Sequence, residues 1–183
     1  PVPTVMEMEN GAALWVHSDN SLPLVSIRWV FPGGSSADPA DAPGAHFLAA
    51  RMMQESSGER DAMAVTRAFE LLAASTSIRV TRDSTVVSLN VASERLDQSL
   101  ALIADQILRP AFGREDWQRG RDQHLLTLQQ QREKTSLLAI EVAWQLYYGS
   151  SLLGRPVAGT PKGIEKISLE SVKAAYLNGI RPG

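Results

Sequence analysis

Leu24-Val25-Ser26-Ile27-Arg28-Trp29-Val30-Phe31-Pro32-Gly33-Gly34 is the stretch on which the fold turns. Val25, Ile27, Trp29 and Phe31 occupy every second position, so they share one face of a strand. Leu24, Ser26, Arg28 and Val30 take the other face. Pro32-Gly33-Gly34 stops the strand, and a loop follows from Ser35 to Pro43. Upstream, Leu14 and Val16 alternate with Trp15 in a shorter strand. Downstream, Thr76 to Thr81 and Thr85 to Val91 read as a hairpin with its turn at Arg82-Asp83-Ser84. Val87, Leu89 and Val91 alternate there with Ser88 and Asn90.

Helical patterns fill the rest. Gly44 to Gln54 is rich in Ala, Leu, Met and Arg, all good helix formers. A second helix is expected over Ala62 to Ala73. Leu96, Leu100, Ile103 and Ile107 share one face of a third, with Ser93 as its cap and Pro110 as its stop. A long helix starts near Glu115 and passes Gln131. The spacing predicts another over Leu137 to Tyr148, with Leu137, Ile140, Trp144 and Tyr148 on one side. Thr160-Pro161 is a helix start, and Ser168 opens the last helix. The expected class is α+β, an antiparallel sheet with helices packed on one face. No repeat or composition break divides the chain, so residues 1–183 are expected to form one domain.

Composition narrows the function. The chain has 183 residues, 44% hydrophobic content and a formal net charge of -2. One core is affordable at this size. No basic excess suits nucleic acid, and no apolar run approaches the ~20 residues of a membrane span. There are no cysteines, which excludes disulfides, thiolate metal sites and a cysteine nucleophile. The chain opens at Pro1 without a Met and closes on Ile180-Arg181-Pro182-Gly183, which reads as a piece of a longer protein.

Several short runs then form a recognisable series: Asn10-Gly11, Leu22-Pro23-Leu24-Val25-Ser26, Phe31-Pro32-Gly33-Gly34-Ser35 and Pro43-Gly44-Ala45. Arg82-Asp83-Ser84-Thr85-Val86-Val87-Ser88-Leu89 and Arg109-Pro110-Ala111-Phe112 follow. Tyr148-Gly149, Gly154-Arg155-Pro156-Val157 and Gly159-Thr160 complete it. In order and spacing this series resembles the pitrilysin family of zinc metallopeptidases, which includes insulinase-like enzymes and mitochondrial processing peptidases. The resemblance implies one α/β half-unit of that fold. Two such halves make a subunit, and halves or subunits close around a peptide.

The active family carries His-x-x-Glu-His on the helix after the Gly44 loop. Residues four apart share a helix face, so two His can hold one zinc ion, and the Glu takes a proton from the bound water. A Glu on the later long helix completes the metal site. Aligned from Gly44, the first His position falls on Phe47, the Glu on Ala50 and the second His on Arg51. The third ligand position falls on Thr127. Phe47 has no lone pair, Ala50 cannot move a proton, Arg51 sets a cation against a dication, and Thr127 has only a weak neutral oxygen. Shifting the motif to start at His46 puts Ala49 and Ala50 in the other places, which fails equally.

The resemblance therefore implies a non-catalytic branch with no cofactor of its own, zinc being expected only in a catalytic partner bearing His-x-x-Glu-His. The partner would be a second half-domain or a catalytic subunit, with peptide as the substrate of the pair. Peptide-clamping residues would lie in that other half. Two alternatives stay open: the inactive second half of a single-chain active protease, and a stand-alone peptide-binding scaffold. Self-association of the chain is a further expectation, and the family resemblance suggests a bacterial periplasmic or secreted setting.

His17, His46 and His124 are the only histidines. His17 reads as a surface group. His46 and His124 are offset from the ligand positions, on helices expected to flank the old metal site, and two His without a carboxylate make a poor zinc site. No Gly-x-Ser-x-Gly elbow supports a serine hydrolase, and Arg82-Asp83-Ser84 reads as turn chemistry. Gly33-Gly34-Ser35 and Ser56-Ser57-Gly58 lack the ending of a phosphate loop. Trp15, Trp29, Trp117 and Trp144 read as core or helix–sheet packing, with Trp15 the one set to face outward. Gln129-Gln130-Gln131 reads as solvated helix.

Overall fold

The computed structural model describes residues 3–133, 135–149 and 151–180. The predicted end at Arg181-Pro182-Gly183 and the side chain of Leu137 lie outside what is described. Among the described residues the strands and α-helices follow in the order β1 (Thr4–Glu7), β2 (Ala13–Val16), β3 (Leu24–Phe31), α1 (Ala45–Met53), α2 (Ala62–Leu71), β4 (Ser75–Val80), β5 (Thr85–Ala92), α3 (Leu96–Leu108), α4 (Arg114–Arg132), α5 (Thr135–Tyr148), α6 (Pro161–Ile164) and α7 (Leu169–Gly179). The α+β reading holds. All strand pairing is antiparallel, in the order β3-β5-β4 with a separate β1-β2 hairpin.

Alternation decides which face of the three-stranded sheet is covered. Val87, Leu89 and Val91 of the central strand are buried, and Ile27, Trp29, Phe31 and Ile78 flank them half-buried. Each fully buried Val or Leu contributes about 1.5–3 kcal/mol. The opposite face carries Ser26, Arg28, Ser75, Ser77 and Asn90, all exposed, with the Ser26 hydroxyl donating to Asn90 at 2.8 Å. Ile103 and Ile107 of α3, Leu48, Met52 and Met53 of α1 and Val172 and Tyr176 of α7 complete the core on the apolar side. Tyr176 enters it because its hydroxyl donates to the Ile107 carbonyl at 2.7 Å.

Two expectations need correction. Ser93 does not cap α3. Its amide and hydroxyl both donate to the Pro23 carbonyl, at 2.9 and 3.4 Å, which prolongs the β3–β5 pairing past Leu24 and Ala92. Residues 93–95 form a 3-10 turn, and α3 starts at Leu96 without a side-chain cap. The tryptophans also divide. Trp117 is buried, Trp29 packs on the core and Trp15 faces outward at 68% exposure, all as expected, but Trp144, expected in the packing, is 37% exposed. Trp144 stacks on Tyr148 with ring centroids 5.0 Å apart and carries the Arg82 guanidinium 3.9 Å above it. Among the described residues, no helix is long and apolar enough to cross a membrane.

Candidate functional site

α1 begins where Gly44 adopts φ 98, a left-handed conformation that favours glycine. A Cβ there would also lie 2.9 Å from Ile164 Cδ1 and 3.1 Å from the Gly159 Cα. The Pro43-Gly44 loop is thus pressed against Ala158-Gly159. Asp38 fixes the start of the helix from within the preceding loop. Its two oxygens accept from the Gly44 amide at 2.6 Å and the His46 amide at 2.9 Å. The Asp38 Oδ1 also accepts from His46 Nδ1 at 2.7 Å. α1 then packs on α7, β4 and α4.

These contacts orient the faces of α1. His46 points toward α7, where its Nε2 abuts Gly179. Phe47 points toward α4 and stacks on His124, with centroids 4.6 Å apart and planes 29° from parallel. Ala50 is buried, and Arg51 is half-buried one turn beyond Phe47. The Arg51 cation acts on His124, so the three side chains form one cluster. His124 is 2% exposed, and its Nε2–H donates to the Ala158 carbonyl at 2.8 Å. Its Nδ1 is buried without a hydrogen-bond partner. Burial holds the imidazole below its ordinary pKa, the Ala158 carbonyl opposes this, and the Arg51 cation adds to it. The Thr127 hydroxyl, one turn on, donates to the Gln123 carbonyl of its own helix at 2.9 Å.

Of the residues singled out in the sequence, the structure brings Phe47, Arg51 and His124 together and turns His46 away. His17 is exposed, and its charge acts weakly on nearby Asp19. Arg82-Asp83-Ser84 is a turn, in which the Thr81 hydroxyl donates to Asp83 at 2.7 Å and Thr81 and Ser84 pair their backbones. Ser56-Ser57-Gly58 is a loop tied to the segment after α3: the Gly58 amide donates to Arg109 and Ala111 donates to Ser56. Sequence reasoning did not find the role of Asp38, because a lone Asp in a loop carries no signal of the helix start it serves. Among the described residues, no three His, Cys, Asp or Glu side chains gather where they could hold a metal ion.

Two surface features adjoin this cluster or lie elsewhere. An apolar groove of about 330 Å³ is lined by Arg82, Leu128, Trp144, Val157, Ala158 and Pro161, and it meets the cluster at Ala158. A larger open groove of about 1400 Å³ runs between α2 and the start of α4, and none of Phe47, Ala50, Arg51, His124 or Thr127 lines it.

With this geometry in place, comparison with known proteins identifies the class. The family model for insulinase (peptidase family M16) matches residues 15–161. The chain belongs to that family, as a domain of pitrilysin type. It is 22% identical over 174 residues to the non-peptidase homolog YmxG of Helicobacter pylori, covering 94% of this chain and 40% of that protein. An uncharacterized zinc protease of Rickettsia bellii is 25% identical over 162 residues, covering 88% of this chain and 39% of that one. A peptidase M16 inactive domain from Pseudomonas fluorescens superposes with a TM-score of 0.89 at 26% identity, over 95% of this chain and 42% of that chain. A Helicobacter pylori protease superposes at 0.86 with 14% identity, over the whole chain and 44% of its own, a likeness of fold. The chain thus spans about 40% of the length of the relatives it matches.

Proposed function

We propose that this chain is a non-catalytic half-unit of an M16-type assembly, forming one wall of a peptide chamber whose hydrolytic zinc is held by a partner with His-x-x-Glu-His. The observation that carries the reading is the Phe47–His124 stack with Arg51 beside it. These residues do not fit zinc. Zinc takes three or four good N, O or S donors. Phe47 offers none, the Thr127 hydroxyl is engaged within α4, and Arg51 adds a permanent cation. His124 has one nitrogen without a partner, and among the described residues it belongs to no set of three His, Cys, Asp or Glu that could hold a metal. Ala50 leaves no base to take a proton from water.

Two apolar surfaces support the partner. α5 exposes Leu138, Ile140, Val142, Leu146 and Tyr147, so it is apolar almost all round. Such a helix is stable when something covers it. The β1–β2 hairpin exposes Val5, Met6, Leu14, Trp15 and Val16. With relatives more than twice as long, the natural cover is a second half-unit, with this chain as the other half.

Elemental analysis after purification with zinc present, together with cleavage of an unstructured peptide, tests the reading. Less than about a tenth of an equivalent of zinc and no cleavage are expected. Stoichiometric zinc with chelator-sensitive cleavage refutes it. Light scattering tests the partner surface: the isolated chain is expected to self-associate as concentration rises, and a monomer at high concentration counts against an uncovered interface.

A further inference from the structure

We propose that the vacated centre has reversed its charge preference and is a carboxylate-binding site built on Arg51, taking an acidic side chain or the C-terminus of a peptide. The inference rests on the non-catalytic reading above. It starts from unpaired cations. Arg60, Arg95, Arg109 and Arg119 each reach a carboxylate. Arg51 does not: among the described residues its guanidinium makes no hydrogen bond or ion pair, although it is half-buried beside His124. Arg121 lies one turn before His124 on the same face of α4, and its Nε is buried without a partner. Arg155 precedes Ala158, the residue that receives the His124 N–H, and one of its terminal nitrogens is likewise buried and unpartnered.

Cations withdrawn from water without an anion are costly. An unneutralised cation also sets up a positive potential that favours an anion. A guanidinium fork matches a carboxylate with two parallel hydrogen bonds, a geometry that a lysine cannot supply. His124 adds the complement. With its Nε2–H fixed on Ala158, the buried Nδ1 is left as an acceptor with no donor opposite it among the described residues. A site that in an active relative would hold a dication here presents a cation of its own, and its fitting occupant is an anion of the peptide class.

Calorimetric titration of the chain with three forms of one unstructured peptide tests this. One form carries Glu side chains and an amidated C-terminus. The second carries Gln instead and a free C-terminus. The third carries Gln and is amidated. A charged form is expected to bind at least about tenfold more tightly than the neutral one, the scale of one charge-assisted hydrogen bond. Whichever charged form is tighter identifies the source of the carboxylate. Arg51→Gln is expected to erase the preference, Arg51→Lys to keep part of it, and Arg51→Glu to turn it toward a Lys-bearing peptide, with circular dichroism confirming that each variant folds. Equal affinity for all three forms, no binding of any, or an unchanged preference in Arg51→Gln overturns the proposal. Zinc uptake would sink the non-catalytic reading itself, whereas a zinc-free chain indifferent to carboxylates sinks only this site.

Discussion

Replacing Gly179 with alanine sets two effects of known size against each other. Gly179 is the last residue of α7, and its φ is not in the left-handed region, so alanine suits the backbone. Helix propensity alone favours the change by up to about 1 kcal/mol. The surroundings oppose it. A Cβ at this position would run into His46 Nε2 and come within 3.1 Å of both His46 Cδ2 and the Gly33 Cα. His46 cannot retreat: its ring is 3% exposed, and its Nδ1 is held 2.7 Å from Asp38, whose other oxygen anchors Gly44. Gly33 meets Gly179 through backbone, which cannot rotate away. Overpacking of this kind costs about 1–3 kcal/mol, and the pinned histidine places the site at the upper end. The net expectation for Gly179→Ala is a loss of about 1–2 kcal/mol. Urea unfolding measures it, and the double variant with His46→Ala isolates the cause. Removing the imidazole should abolish most of the penalty, giving a coupling above about 0.5 kcal/mol. A neutral or stabilising Gly179→Ala, or a penalty unchanged in the His46→Ala background, would refute the packing argument.

Other perturbations have equally definite outcomes. His124 has a folded pKa below its unfolded value near 6.5, so the unfolded chain binds the extra proton. Its contribution is complete above about pH 6.5 and falls as pH drops toward the folded value; His124→Phe should flatten that part of the stability–pH curve, and an unchanged slope contradicts it. Burial acts to raise the Asp116 carboxyl, but hydrogen bonds from Ser56 at 2.5 Å and Arg119 at 2.7 Å outweigh it and hold it below the usual carboxylate value. Its stabilisation is present above about pH 4 and is lost as pH falls through the lowered pKa, so Asp116→Asn should weaken acid dependence below about pH 4 in a denaturation series. Arg82→Ala removes both the stack on Trp144 and the hydrogen bond to the Leu153 carbonyl at 2.8 Å. A loss of about 1–2 kcal/mol and a shift in Trp144 fluorescence are expected, and an unchanged emission spectrum speaks against the stack. Phe47→His with Ala50→Glu and Arg51→His puts two imidazoles four residues apart beside His124, and zinc uptake is the expected gain; no uptake would mean that α1 does not present these positions to α4.

The extent to which the site was legible in the sequence follows the same physics. The strand faces of β3 and β5 could be read directly, since a period of two leaves no freedom once one face is buried. The caps at Thr160 and Ser168 were readable because their hydroxyls act within three residues, and both accept the expected amide at 3.1 Å. Ser93 looked the same, yet the Pro23 carbonyl, far off in sequence, captured it. Phe47 and Arg51 could be placed on one helix face by spacing alone. That His124 meets them, while His46 turns to Gly179, could not be read: each His is buried, and its direction depends on which helix packs against it.

The sequence by itself determined the α+β class, the faces of the strands and the lack of good metal donors at Phe47, Ala50, Arg51 and Thr127, because alternation, helix spacing and side-chain chemistry are local properties. Only the tertiary structure decided that an imidazole from α4 fills the space against Phe47. Only it showed that, among the described residues, Arg121 Nε and a terminal nitrogen of Arg155 are buried without a partner while Arg60 and Arg119 reach carboxylates, and that α5 displays its apolar residues outward. Those outcomes depend on where α4, α5 and the Ala158 loop come to rest, and contacts between residues far apart in the chain set that position.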